Sequence, residues 1–118
     1  MRILGLVFAG TSTPRRSEMI NFLSDTLSLP LVQVDGVEAD LFGLPDGSIF
    51  AVASPGGMGD TTRSVGFLVD DLEAAAADLR EAGVEVSPIG ENRHERYLHF
   101  RAPDSELYEL VERTVDVA

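Results

Sequence analysis

Pro45-Asp46-Gly47-Ser48-Ile49-Phe50-Ala51-Val52 reads against Pro103-Asp104-Ser105-Glu106-Leu107-Tyr108-Glu109-Leu110, about 58 residues further on. Each copy is a Pro-Asp turn followed by an apolar run. A repeat of this period marks a duplicated supersecondary unit. The glycine-rich stretch Ser54-Pro55-Gly56-Gly57-Met58-Gly59-Asp60 falls near mid-chain and reads as a linker between the copies.

The elements on either side follow one order. Residues 2–9, apolar throughout after Arg2, read as a buried strand. Thr13-Pro14 reads as an N-cap with proline at the first helical position. Met19, Ile20, Phe22, Leu23 and Leu27 then recur at helical spacing, which predicts a helix over about 14–28. Leu31 to Val34, the turn Asp35-Gly36, and Val37 to Leu44 read as a hairpin. Ser48 to Ala53 is a further strand. In the second half, Ser64 to Val69 is a strand. Asp70 with Glu73 forms a capping box, residues 71–82 a helix, and Gly83 its stop. Val84-Glu85-Val86 reads as a short strand. Residues 95–101 and 106–112 are two more, joined by the Pro103-Asp104 turn.

The spacing therefore predicts an α+β chain of two βαβββ modules with mixed sheets. Module 1 covers about 1–54, the linker 54–60 and module 2 about 61–118. One module cannot cover both faces of its sheet, so the two are expected to pack and form a cleft for a ligand.

Composition narrows the partners. The chain has 118 residues, a formal net charge of −11 and no cysteine. Disulfides, thiolate metal sites and cysteine nucleophiles are excluded. So acidic a chain repels phosphate backbones, which argues against nucleic acid as a partner. No apolar run approaches the ~18–20 residues of a membrane span, so no membrane partner is expected. Met1 to Ala9 reads as a first strand without a convincing cleavage site after it, which places the protein in the cytoplasm.

The segments Val65-Gly66-Phe67-Leu68-Val69-Asp70-Asp71-Leu72 and Phe100-Arg101-Ala102-Pro103-Asp104-Ser105-Glu106-Leu107-Tyr108-Glu109-Leu110-Val111-Glu112 carry a resemblance. So does Phe22-Leu23-Ser24-Asp25-Thr26-Leu27-Ser28-Leu29 in the first half. Together they resemble the vicinal oxygen chelate superfamily of glyoxalase, bleomycin-resistance and extradiol dioxygenase proteins. The resemblance spans the whole chain. It is fairly specific for the fold and much less so for function, since this fold hosts isomerases, dioxygenases, transferases and plain binding proteins.

In metal-dependent members, His, Gln or Glu ligands come from the first, fourth, fifth and eighth strands. Carried over position by position, the eighth-strand glutamate is Glu109. The fourth-strand position is Ala51 and the fifth-strand position Ser64. Arg2 to Phe8 contains no His, Gln or Glu. With one position of four filled, no metal or other cofactor is expected, and a divalent metal stands as the disfavoured alternative.

Strand alternation puts Leu107 and Val111 on the face of Glu109. A carboxylate on an apolar face is costly unless paired, so Glu109 needs a partner or a raised pKa. An antiparallel register pairing residue 99 with residue 109 brings His99 beside it; a slip of one residue separates them. In the dioxygenase branch, the resemblance implies a cavity-facing tyrosine with an acid–base role at the position of His99. Tyr97 and Arg101 alternate onto the same face. Tyr97, His99, Arg101 and Glu109 thus form a candidate ligand-binding cluster. A structural His–Glu pair and an acid–base pair both remain open.

Weaker features are His94 in the loop 90–95, the turn Gly10-Thr11-Ser12-Thr13 before the first helix, and Arg15 and Arg16 in its first turn. The first two are read as an exposed loop residue and a capping turn, and the arginines as partners of acidic neighbours. Two functional readings follow. The first is a metal-independent small-molecule binding protein like the bleomycin-resistance branch, with a homodimer implied by the resemblance. The second is a lactoylglutathione-lyase-like or extradiol-dioxygenase-like enzyme with a divergent site, using His99 and Glu109 as catalytic residues.

Overall fold

The computed structural model describes residues 1–34 and 36–114. It divides into two compact units, one of residues 8–64 and one of residues 1–7 with the chain from 65 onward. Among the described residues, no helix is long and apolar enough to cross a membrane.

The unit of residues 8–64 holds the second half of β1 (Ile3–Ser12), then α1 (Arg16–Asn21), β2 (Leu31–Val32), β3 (Asp40–Gly43) and β4 (Ile49–Ala53). The order across its sheet is β2-β3-β4-β1. β4 runs parallel to β1 and antiparallel to β3. Phe42 and Val52 point to the helix side and pack on Leu23, with Met19, Ile20, Leu29 and Phe50 around them.

The other unit repeats this plan with β5 (Arg63–Val69), α2 (Leu72–Glu81), β6 (Gly90–Glu91), β7 (Glu95–Arg101) and β8 (Leu107–Arg113). Its order is β5-β8-β7-β6, with β5 parallel to β8 and β7 antiparallel to both β6 and β8. α2 lays Leu72, Ala75 and Ala76 against Val69, Leu98 and Leu110. These side chains leave almost no surface in water, and their burial is the main favourable term in this unit. The fold is thus α+β, with a βαβββ order in each half.

Matching turns hold the hairpins in register. Gly47 N–H donates to Leu44 C=O and Leu44 N–H to Ser48 C=O; Ser105 N–H donates to Ala102 C=O and Ala102 N–H to Glu106 C=O. Asp46 and Asp104 each accept from the backbone two residues on. Gly47 has φ +86° and Ser105 φ +70°, so both turns bend through the left-handed region.

Several expected boundaries shift. Gly10 to Ser12 belongs to β1, so the expected capping turn is strand. The first helix is capped by Arg15, not Thr13; Thr13 Oγ1 instead accepts from Arg15 N–H. The α-helix is short and passes into a π-helical turn over Phe22–Thr26, with Leu27 N–H reaching Phe22 C=O. The expected hairpin at 35–36 is looser than a two-residue turn allows. Among the described residues its innermost pair is Val32 with Leu41, and Val34 and Val37 lie outside the strands; Asp35 lies outside the described residues. Asp71 rather than Asp70 caps α2, accepting from Ala74 N–H. Among the described residues, Val84 to Val86 makes one isolated bridge, Val86 with Phe100, beside the bond from Arg101 N–H to Glu85 C=O. Gly83 does end α2, at φ +78°, with Val84 N–H bonded to Leu79 C=O and Gly83 N–H to Arg80 C=O, the paired bonds of a Schellman motif.

The start of α2 has a second, longer-range anchor. Glu112 on β8 accepts from Leu72 N–H at 3.1 Å and pairs with Arg96 at 3.3 Å, which also binds Glu73 at 2.8 Å. One carboxylate thus satisfies an orphan helix N–H and ties β8 to β7. Glu112→Ala is expected to cost about 1–2 kcal/mol in urea unfolding. Glu112→Gln, which keeps the acceptor, should lose less than half of that.

Candidate functional site

β7 and β8 pair His99 with Glu109, Tyr97 with Val111 and Arg101 with Leu107. Residues two apart on a strand share a face. Glu95, Tyr97, His99 and Arg101 therefore lie with Leu107, Glu109 and Val111 on the side away from α2. Leu98, Phe100, Tyr108 and Leu110 take the other side. There Tyr108 stacks on Phe67 and Phe100, at ring distances of 6.4 and 5.8 Å. The cluster read from the sequence is thus brought onto one face of one unit.

His99 Nε2 stands 3.8 Å from Glu109 Oε1. That is beyond hydrogen-bond length and within ion-pair range if the ring is protonated. Glu109 keeps 15% of its side-chain surface and His99 45%. Burial, with a smaller push from the Glu95 carboxylate, raises the Glu109 carboxyl to about 7. Burial lowers the His99 ring from its ordinary value. Desolvation outweighs attraction within the pair, so each member leans to its neutral form near neutrality. The face then offers a carboxyl that donates or accepts and a neutral imidazole that does both.

Their neighbours are held in place. The Tyr97 ring meets the His99 ring edge-on at 6.0 Å. Opposite Tyr97 sits Gly90, where an added Cβ would come within 2.9 Å of the ring; glycine lets the phenol lie over the backbone. Arg101 Nη1 donates to Ser105 C=O at 2.6 Å, which holds the guanidinium at the β7–β8 turn. The sequence reading missed Glu95 and Gly90. Alternation through 95, 97 and 99 was the available signal for the first; the second needs the β6 pairing.

The other unit carries the counterparts. Gly66 lies beside Glu109 as Gly10 lies beside Ala51, and His99 faces Glu109 as Leu41 faces Ala51. The internal repeat thus equates Gly10, Ala51 and Leu41 with Gly66, Glu109 and His99. Ser64 is buried on β5, with 7% of its surface exposed. β1 supplies no His, Gln or Glu. Among the described residues there is no group of three His, Cys, Asp or Glu side chains placed to hold a metal. Tested on donor chemistry, these residues do not fit a divalent ion, which needs several hard or borderline donors.

The weaker candidates resolve simply. His94 is exposed, its N–H bonded to Asn92 Oδ1. Arg15 pairs with Glu18, and Arg16 with Asp40 at 2.9 Å, so both arginines serve acidic neighbours.

No protein-family model matches the sequence. No curated protein matches it either. Solved structures do. Methylmalonyl-CoA epimerase from Mycobacterium tuberculosis is 20% identical with a TM-score of 0.71, over 98% of this chain and 91% of that one. A glyoxalase/bleomycin resistance protein/dioxygenase superfamily member from Vibrio splendidus 12B01 is 14% identical with a TM-score of 0.67, over 92% and 97%. A catechol 2,3-dioxygenase is 14% identical with a TM-score of 0.75, over 98% of this chain and 42% of that longer one. The shared order of elements and these likenesses establish one conclusion: the chain has the vicinal oxygen chelate fold.

Proposed function

We propose that the protein binds a small molecule on the β7–β8 face without a resident metal, Tyr97, His99, Arg101 and Glu109 supplying the polar contacts. The observation that carries this reading is the pairing of His99 with Glu109 away from the helix-packed core. A largely buried carboxylate that accepts no side-chain hydrogen bond among the described residues does not stabilise the sheet, so its place there is better explained by a ligand. Arg101 and Tyr97 favour a ligand with an acceptor or anionic group beside an apolar body. A ligand found by thermal-shift screening should bind at least ~10-fold more weakly to Glu109→Ala or His99→Ala, measured by calorimetry. His94→Ala should bind it as the native chain does. Equal binding by all four proteins would remove the site assignment.

A second reading, an acid–base enzyme, is favoured by the burial of Glu109 beside His99, which pushes its carboxyl up to about 7, where a group can both take and give a proton. Under it, a turnover found for this chain would follow the Glu109 titration in its pH profile and vanish in Glu109→Gln. The methylmalonyl-CoA epimerase likeness makes a carbon acid a reasonable first substrate class to screen.

The carboxyl also makes a stability prediction independent of any ligand. Its folded value lies above its ordinary value of 4.5. Stability is therefore unaffected below about pH 4.5 and falls as the pH rises to about 7, by about 3 kcal/mol in all. Glu109→Gln should be about 2–3 kcal/mol more stable than the native chain at pH 8 and indistinguishable from it at pH 4 by urea unfolding.

The proposal includes a homodimer and a cytoplasmic location. Leu4 and Leu6, which share a face of β1, are each about half exposed, an apolar surface that a second copy would cover. Light scattering should give twice 12.7 kDa; a mass of one chain would remove the dimer.

A further inference from the structure

We infer that the first-half counterpart of Glu109 is closed to a divalent ion, and that the Met58 thioether is the group that closes it. The inference rests on the metal-free reading proposed above and gives it a structural cause. Where the second unit sets Glu109 between Gly66 and His99, the first sets Ala51 between Gly10 and Leu41. None of these three first-half side chains offers oxygen or nitrogen. The loop after β4 then folds back over them. A Cβ built on Gly10 would lie 3.1 Å from Met58 Sδ and 3.3 Å from the Ala51 methyl. The thioether therefore rests directly on the Gly10 backbone, beside Ala51.

The loop is drawn tight to do this. At Gly57 a Cβ would lie 2.9 Å from Ser54 C=O and 3.1 Å from the Ala53 methyl. Gly57 N–H donates to Ser54 C=O at 2.8 Å. The chain thus doubles back at the end of β4 and returns Met58 to the sheet. Ala51 is left 7% exposed. A soft thioether over a methyl and a bare peptide suits neither the hard donors nor the water-bearing open position that a divalent ion requires.

Two measurements test this. The native chain is titrated with Mn²⁺, Co²⁺, Ni²⁺ and Zn²⁺ in separate calorimetric runs at pH 8, where Glu109 is ionised. No stoichiometric binding is expected. A stoichiometric ion lost in Glu109→Ala would overturn the inference. The second compares Ala51→Glu, Met58→Ala and the double variant in thermal unfolding. Ala51→Glu buries a carboxylate under the thioether, so Tm should fall by about 10 °C. Trimming Met58 in that background should return at least half of the loss by admitting water. An unchanged Tm in Ala51→Glu, or losses that simply add in the double variant, would show the position to be open. If Ala51→Glu does not fold, Ala51→Ser with and without Met58→Ala gives the same comparison with a smaller buried polar group: a Tm loss at least half returned by Met58→Ala supports the inference, and additive losses overturn it. A failed ligand screen with no metal bound would sink the proposed function and leave this inference standing.

Discussion

The register of the β7–β8 hairpin is the constraint on which the rest depends. A strand has a side-chain period of two, so a slip of one residue would exchange its two faces. Leu98 and Leu110, which α2 needs, would turn outward, and Glu109 would turn into the helix-packed core. The turn at Ala102–Glu106 prevents this through two backbone bonds and the Asp104 carboxylate. Ser105 sits there in a conformation that an L residue adopts only at a cost. Glycine takes the equivalent place in the first half. The same turn, met twice, sets the same pairing twice, and so makes Ala51 and Glu109 structural equivalents.

What was legible in the sequence followed from how local its cause was. The strands at 95–101 and 106–112 could be read because alternation and a Pro-Asp turn specify them within twenty residues. The His99–Glu109 pairing came from the same information. The cap of α2 was misplaced because Asp70 and Asp71 are chemically identical candidates. The choice between them depends on Glu112, forty residues away, which takes Leu72 N–H. Val84 to Val86 looked like a strand by composition. Its neighbour β7 gives it only one bridge, while Gly90 and Glu91 pair further along the same strand. The π turn left no trace in the periodicity, since one extra residue in a single turn hardly disturbs a pattern of apolar positions. Met58 was invisible as a site residue because a glycine-rich loop carries no periodicity at all.

The two halves show what duplication leaves free to diverge. In each, the face toward the helix is fixed by packing: Phe42, Val52 and Leu23 in one, Leu98, Leu110 and Leu72 in the other. The opposite face carries no such demand. One half has filled it with alanine, leucine and a thioether; the other holds a carboxyl, an imidazole, a phenol and a guanidinium. At this position the difference lies in side chains, since β4 pairs with β1 and β3 as β8 pairs with β5 and β7.

That difference bears on why Glu109 persists where it costs stability. A glutamine there would keep the shape and the hydrogen-bonding capacity without the penalty of ionising in a dry setting. An alanine has served at the equivalent place in the first half. A group poised near neutrality, beside an imidazole that is itself held neutral, exchanges charge for very little energy, because neither protonation state is strongly favoured. Packing does not require that property, and an inert sheet face would lose nothing without it. A face that meets a ligand does gain from it, since the carboxyl can donate to an acceptor or accept from a donor as the ligand demands. On the proposed function, the stability that ionising Glu109 costs is the counterpart of binding, and the Glu95 carboxylate, which deepens the shift, acts in the same direction.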